Sequence, residues 1–403
     1  MTQPTLRPPL PAVRTFIAPK SHRVVSGPGA IATLGDHLGR LGSGRAFILT
    51  GRSVAEKTPL IDQLRAAAPD RISGVYSGMS AHTPLADLVA ALEAAREAGA
   101  DAIVGIGGGA VMDACKHMIT YLTLDLRTAD EIRAYLSAQL PDPAPIPDML
   151  PQILIPTTAS AAEFTQFAGV LDSETQSKRR LDHTQTVPDV IIQDPDAVLY
   201  TPPELWLSSA IRTVDHAVEG LYGHRATPYT DALGKEALRL LARGLPAFHA
   251  DPKDTDAIAD IQAATWLGIT CGSLASTGIS HGIGYLLGAK FGVPHGHCSC
   301  ITLQHVAAWM VPGAEHALAE AARALGAASG GDADAVAAAQ AGPAIGRLVA
   351  GLGLPVRARD AGVPSLEALV ALAPNVLRLP HIPGSPRRPA DEAEAAALLD
   401  QMW

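Results

Sequence analysis

The apolar positions of this chain change rhythm about half-way along. Gly44–Gly51, Arg71–Gly78, Asp101–Gly105, Pro151–Pro156 and Pro188–Asp194 are short apolar runs bounded by glycine or proline. Between them, Val54–Ala68 and Pro84–Gly99 space their apolar residues as helices do, the second opening on proline and closing on glycine. A further helix is predicted over Val111–Tyr121. Strands alternating with helices at this spacing predict a mainly parallel sheet with both faces covered and right-handed crossovers. From Pro202 onward the strands stop, and Ala232–Leu245, Ile258–Leu274 and Gly282–Lys290 carry helical patterns. The alanine-rich stretch 314–345 is good helix material. The pattern predicts an α/β domain over residues 1–200 and an all-helical domain over 201–403. Surface connections are expected at Asp125–Asp148 and Pro380–Pro389.

Length and composition agree with two cores, since 403 residues with 47% hydrophobic content exceed one ordinary domain. The net charge of −9, from 31 basic and 40 acidic residues without a basic tract, argues against a nucleic-acid partner. No run is long enough to span a bilayer, and the opening residues contain no apolar segment of the secretory kind, so a cytoplasmic protein is expected. Four cysteines are too few for a disulfide framework and are read as reduced, packed thiols.

Candidate chemistry gathers at two places. Gly105-Ile-Gly107-Gly108-Gly109-Ala110 lies between a predicted strand and a predicted helix, where glycines let backbone amides approach a pyrophosphate at the helix N-terminus. Thr157 and Thr158 follow another strand and belong to the same crevice. The second place is Gly278–His305, which sets His281, His295, His297 and His305 among glycines and apolar residues. Histidine there supplies a proton carrier, a polar handle or a metal ligand.

Taken together, Gly107-Gly-Gly-Ala-Val-Met-Asp113-Ala-Cys-Lys116, Pro156-Thr-Thr-Ala-Ser-Ala-Ala-Glu-Phe-Thr165, Asp194-Pro195, His216-Ala-Val-Glu219, His281-Gly and Pro294-His295-Gly resemble the iron-containing (group III) alcohol dehydrogenases. Within that family, Lys178–Pro188 and the Pro294-His295-Gly-His297 turn are most similar to the maleylacetate reductase branch. The resemblance implies a Rossmann-like N-terminal domain, an all-helical C-terminal domain, and a cleft between them for a nicotinamide cofactor and substrate. It further implies that Gly107, Gly108, Gly109, Asp113, Thr157, Thr158 and Lys178 hold NAD(H) or NADP(H), and that the substrate is an anionic carbonyl or enone such as maleylacetate, reduced to 3-oxoadipate. Homodimers are common among such relatives.

Metal-dependent members of the family hold iron or zinc through an aspartate and a histidine four residues apart, plus two later histidines. Three of these places correspond to His216, His281 and His295, while Arg212 stands where the aspartate would be. Helical spacing puts Arg212 on the face of His216, and a fixed guanidinium beside a divalent ion is electrostatically hostile. Asp215 lies about 100° around the helix and is not expected to substitute. The sequence therefore favours a metal-free site, with Arg212 anchoring a substrate carboxylate or, as the alternative, pairing with Glu219 or Asp215. Tyr285, one turn after His281, stands where many relatives carry histidine. The general acid is expected among His281, His295 and His297, with Tyr285 as a hydrogen-bond or proton donor. His305 is expected to be structural. After the first strand, Gly51 and Arg52 replace the usual acidic residue, so either NADH or NADPH is expected to serve. The competing readings are a metal-dependent alcohol or aldehyde dehydrogenase and a non-redox cyclase of the dehydroquinate synthase type.

Overall fold

The computed structural model describes residues 23–139, 145–175, 177–380, 382 and 385–403. Strands β1 (Arg23–Ser26), β2 (Ala46–Thr50), β3 (Ile72–Tyr76), β4 (Ala102–Gly107) and β5 (Gln152–Pro156) lie with β8 (Val190–Gln193) in one parallel sheet of order β1-β8-β5-β4-β2-β3. β2, β4, β5 and β8 are buried throughout, because helices cover both faces; unbroken runs such as Phe47-Ile-Leu suit that double burial. Helices α1 (Leu34–Arg40), α2 (Arg52–Lys57), α3 (Leu60–Ala67), α4 (Leu85–Glu97) and α5 (Gly109–Thr123) provide the cover. One long helix was predicted over Val54–Ala68, but the chain breaks at Thr58-Pro59, where proline removes an amide donor and disfavours a helical residue before it.

One further expectation is corrected, and one pair of strands is new to the sequence reading. The predicted connection Asp125–Asp148 contains a helix, α6 (Ala129–Ser137), started by a reciprocal Thr128–Glu131 capping box and anchored by buried Ile132; residues 140–144 lie outside the described part. A hairpin of β6 (Phe167–Asp172) and β7 (Ser177–Asp182) pairs antiparallel outside the main sheet. Asp172 fastens it to α6 through Arg133, at 2.9 Å. The Pro380–Pro389 connection includes residues 381, 383 and 384, which are outside the described part.

After the short α7 (Pro195–Val198) everything described is helical: α8 (Pro203–Tyr222), α9 (Pro228–Ala250), α10 (Thr255–Ala275), α11 (Ile279–Phe291), α12 (His295–Ala324), α13 (Asp334–Gly351), α14 (Leu366–Val370), α15 (Ala373–Val376) and α16 (Glu392–Asp400). α8 is buried from Trp206 to Tyr222 and packs against α9, α10 and α12 as the central rod of this half. Helices approach closely where glycine meets cysteine. A β-carbon at Gly220 would lie 2.4 Å from the Cys271 sulfur, and one at Gly105 2.5 Å from that of Cys115. All four cysteines are buried thiols, none of them in a disulfide. The halves are joined at the loop after β5, where the Ser209 hydroxyl accepts from the Ala159 amide at 3.1 Å and Thr201 donates to the Thr157 carbonyl at 2.7 Å.

Candidate functional site

Leaving β2 the chain turns to β3 on one side, and leaving β4 it turns to β5 on the other, so a crevice opens at the carboxyl ends of β2 and β4. The register sets Thr50 beside Ile106, which brings Gly51 and Arg52 next to the glycine turn. Gly105 belongs to β4 and packs on Cys115, so the turn proper is Gly107–Gly109. Gly107 has φ +152°, and a β-carbon there would meet Val111 at 2.9 Å. The Gly107 carbonyl accepts from the Thr157 amide at 2.8 Å. Thr158 and Ser160 close on the turn, 3.3 Å and 3.1 Å from where β-carbons of Gly108 and Gly109 would stand. No side chain caps α5, so its first amides are left to meet an anion. Arg52 is exposed and within only 4.0 Å of Glu56, open to a ligand at the crevice rim. These features fit the diphosphate of a dinucleotide.

Asp113 is aimed at the hairpin, its Oδ2 accepting from the Gly169 amide at 2.9 Å. Burial pushes its carboxyl up against the opposing pull of Lys116 and Lys178. Lys178, on β7, crosses Gly169, and its charge reaches Asp113, Tyr285 and His295, so it stands between the two sides of the cleft. Beneath the turn, fully buried Lys116 donates to the Ala162 and Phe167 carbonyls and to Thr165. Neighbouring Glu163 has its Oε2 buried without a partner, and burial raises its carboxyl to about 7.

The opposite wall is built from α8, α11 and α12. His216 and His281 stack with ring centroids 4.5 Å apart, and Tyr285 stacks on His295 at 5.8 Å. Arg212 lies over the Tyr285 ring, its guanidinium carbon 6.0 Å from the centroid. Its positive charge lowers the proton affinity of His216, His281 and His295 alike, so the guanidinium lies within electrostatic reach of all three. Burial and then the neighbouring charges hold His216 well below its ordinary value. Loss of hydration in the cleft wall, with Arg212 and Lys178, does the same to His295. Tyr285 is 47% exposed at the open mouth of the cleft. There the desolvation that would raise its hydroxyl is outweighed by Arg212, His281 and Lys178, which lower it.

His281 differs from the other two histidines. Its Nδ1 donates to Glu219 at 2.8 Å and lies 3.4 Å from Asp215. Burial would lower its affinity for a proton, but Asp215 and then Glu219 outweigh that and raise it to about 10. His281 Nε2 is buried without a protein partner. His297 is turned away, 3.4 Å from Glu204 at the rim, and stays apart from the cluster. His305 is held inside α12, its Nε2 also unpartnered.

Asp215, Glu219 and His281 offer donor atoms within 4.8 Å of one another, the outline of a candidate metal group. It differs from His216, His281 and His295, the places that the family resemblance assigns to metal ligands, and it fits an ion poorly. Asp215 Oδ2 already accepts from Ser280 at 3.0 Å and Ser299 at 2.7 Å, and Glu219 accepts the Gly278 and Ser280 amides at 2.6 Å and 2.7 Å. The three expected histidines share their space with Arg212. Asp215, which the sequence reading did not expect to replace the missing ligand, points at α11, where it takes the Ser280 and Ser299 hydroxyls and lies 3.4 Å from His281 Nδ1. The alternative pairing of Arg212 with Asp215 or Glu219 gives way to His281, which takes both acids. Asp215 and Glu219 had a signal in the sequence: two acids at i, i+4 on a helix apolar enough to be buried need a buried partner. His82, whose charge also reaches His295, comes from the loop after β3 and carried none.

Residues 21–195 match the family described as iron-containing alcohol dehydrogenase, and residues 207–403 match the C-terminal part of the same family. Maleylacetate reductase of Sphingobium indicum is 32% identical over 314 residues, 78% of this chain and 79% of that protein. The crystal structure of maleylacetate reductase from Rhizobium sp. strain MTP-10005 superposes with a TM-score of 0.80 at 26% identity, covering 98% of this chain and 99% of that one. Sulfoacetaldehyde reductase from Bifidobacterium kashiwanohense, solved in complex with NAD+, shares the fold with a TM-score of 0.85 at 22% identity, covering 97% of this chain and 99% of that one.

Proposed function

The chain belongs to the iron-containing alcohol dehydrogenase family, and from that footing we propose that this NAD(P)-dependent oxidoreductase reduces a small anionic carbonyl or enone acid, maleylacetate or a close relative, without a metal. The observation that carries the reading is Arg212, a buried guanidinium set among His216, His281, Tyr285 and His295. In a closed cleft, such a group binds and orients a carboxylate through a two-pronged hydrogen bond. Lys178 adds a second positive charge on the facing hairpin. The bound nicotinamide supplies the hydride. His281, held charged by Asp215 and Glu219, keeps the proton that the reduced substrate must receive, and its unpartnered Nε2 is the atom to deliver it. The apolar body of α8 and α11 keeps water from that exchange. Asp113, Thr157, Thr158 and the glycine turn hold the dinucleotide, and Arg52 at the rim accommodates a ribose hydroxyl or a phosphate, so both NADH and NADPH serve.

Protein purified without chelator should oxidise both NADH and NADPH when given maleylacetate, at rates unchanged by chelation, and elemental analysis should find iron and zinc far below one per chain. Stoichiometric metal whose removal abolishes turnover would overturn the metal-free part. Failure to oxidise either cofactor with maleylacetate or any other carbonyl acid would overturn the substrate part.

A further inference from the structure

Glu219 is fully buried on α8, and its two oxygens take donors from three directions. The amides of Gly278, Ser280 and His281 reach it at 2.6, 2.7 and 3.4 Å, the Tyr222 hydroxyl at 3.2 Å, and His281 Nδ1 at 2.8 Å. The three amides open α11, whose N-cap Gly278 has no side chain to offer. Glu219 therefore caps that helix from a different one, with its negative charge where the helix dipole favours it. A β-carbon at Gly278 would sit 2.8 Å from Glu219 Oε1, so glycine is what admits the carboxylate. One side chain thus sets both the start of α11 and the rotation of the His281 ring. Since a carboxylate only accepts, Nδ1 must carry the hydrogen, and Nε2 is left as the ring nitrogen without a protein partner. Asp215, at 3.4 Å and already engaged by two serine hydroxyls, adds charge but not direction.

We infer that Glu219 is a positioning residue: by accepting from Nδ1 it commits Nε2 of His281 to the substrate. The role of His281 as proton donor is taken from the reading above, and the experiment separates the two.

Protein labelled with nitrogen-15 at histidine should show a strongly deshielded Nδ1–H proton that disappears in His281→Ala. Glu219→Gln should shift or abolish that signal. With maleylacetate and NADH, its kcat should fall by about 100-fold or more, the scale of a lost acid catalyst, while the NADH dissociation constant stays near that of the parent; Tm falls as well, because the Gln amide turns an NH2 towards a backbone donor at the start of α11. Glu219→Asp, which keeps a carboxylate on a shorter arm, should recover part of kcat. An unchanged signal in Glu219→Gln, or a kcat close to the parent's, overturns the inference. So does a loss of kcat matched by an equal loss of NADH binding, which is a purely structural cap. Where Glu219→Gln does not fold, Glu219→Asp decides against the parent: lower kcat at unchanged NADH affinity supports the role, and unaltered kcat ends it. If the parent does not reduce maleylacetate, the substrate reading falls, and the Nδ1–H signal still decides Glu219.

Discussion

The Gly107–Gly109 turn and the wall of α8, α11 and α12 face one cleft but are made of different material. In the proposed function the turn recognises with backbone: a glycine in a left-handed conformation, an uncapped helix end, and two hydroxyl residues closing over it. In the same proposed function the wall recognises with side chains brought from three helices and held by one another, His281 by two buried acids. A backbone site tolerates many sequences provided side chains stay small. A side-chain site of buried ions depends on each partner, because removing one leaves its counterpart unpaired in a poorly solvated interior.

That contrast is most sharply tested at Arg212. Arg212→Ala should raise the KM for maleylacetate on the order of 100-fold, as expected for one partner of a desolvated charge pair, with NADH affinity little changed. Steady-state kinetics beside fluorescence titration of NADH check it; an unaltered KM would remove the carboxylate anchor. Gly107→Ala should do the reverse. Strain at φ +152° together with the Val111 contact should weaken NADH by roughly tenfold and leave the KM for maleylacetate nearly alone. A loss on both sides would mean that the walls are not separable. The smallest effect on turnover is expected from Glu163→Gln. The Glu163 carboxyl is raised to about 7 in the folded chain against 4.5 when free, so the folded state holds its proton longer. Its contribution to stability is complete below about pH 4.5 and is lost as pH rises towards 7. Glu163→Gln should flatten the fall in Tm across that window without altering kcat, and a retained slope would assign it to another group.

How much of this was legible in the sequence follows the same divide. β2, β4 and β5 were visible as apolar runs because burial on both faces removes the polar alternation, and the glycine turn because its requirement is local. The β6–β7 hairpin was not seen, although Ala168, Val170 and Asp172 alternate inward; Lys178-Arg-Arg reads as surface until Asp172 is known to tie it to Arg133. On the wall, Arg212, His216 and His281 were legible through their spacing and family resemblance. The reach of Asp215 and Glu219 to a histidine more than sixty residues away was not, since only the packing of α8 on α11 creates it.

The glycine–cysteine contacts have a consequence for how the molecule comes apart. Cys115 is wedged against Gly105 between α5 and the sheet, and Cys271 against Gly220 and Gly234 between α10 and its neighbours. Burial also keeps the Cys115 thiol protonated, so an alkylating reagent must wait for the contact to open. The rate at which each sulfur is labelled is then a stopwatch for one seam, the first for the nucleotide half and the second for the helical half. Comparing the two clocks with ligand bound or absent tells which half loosens first.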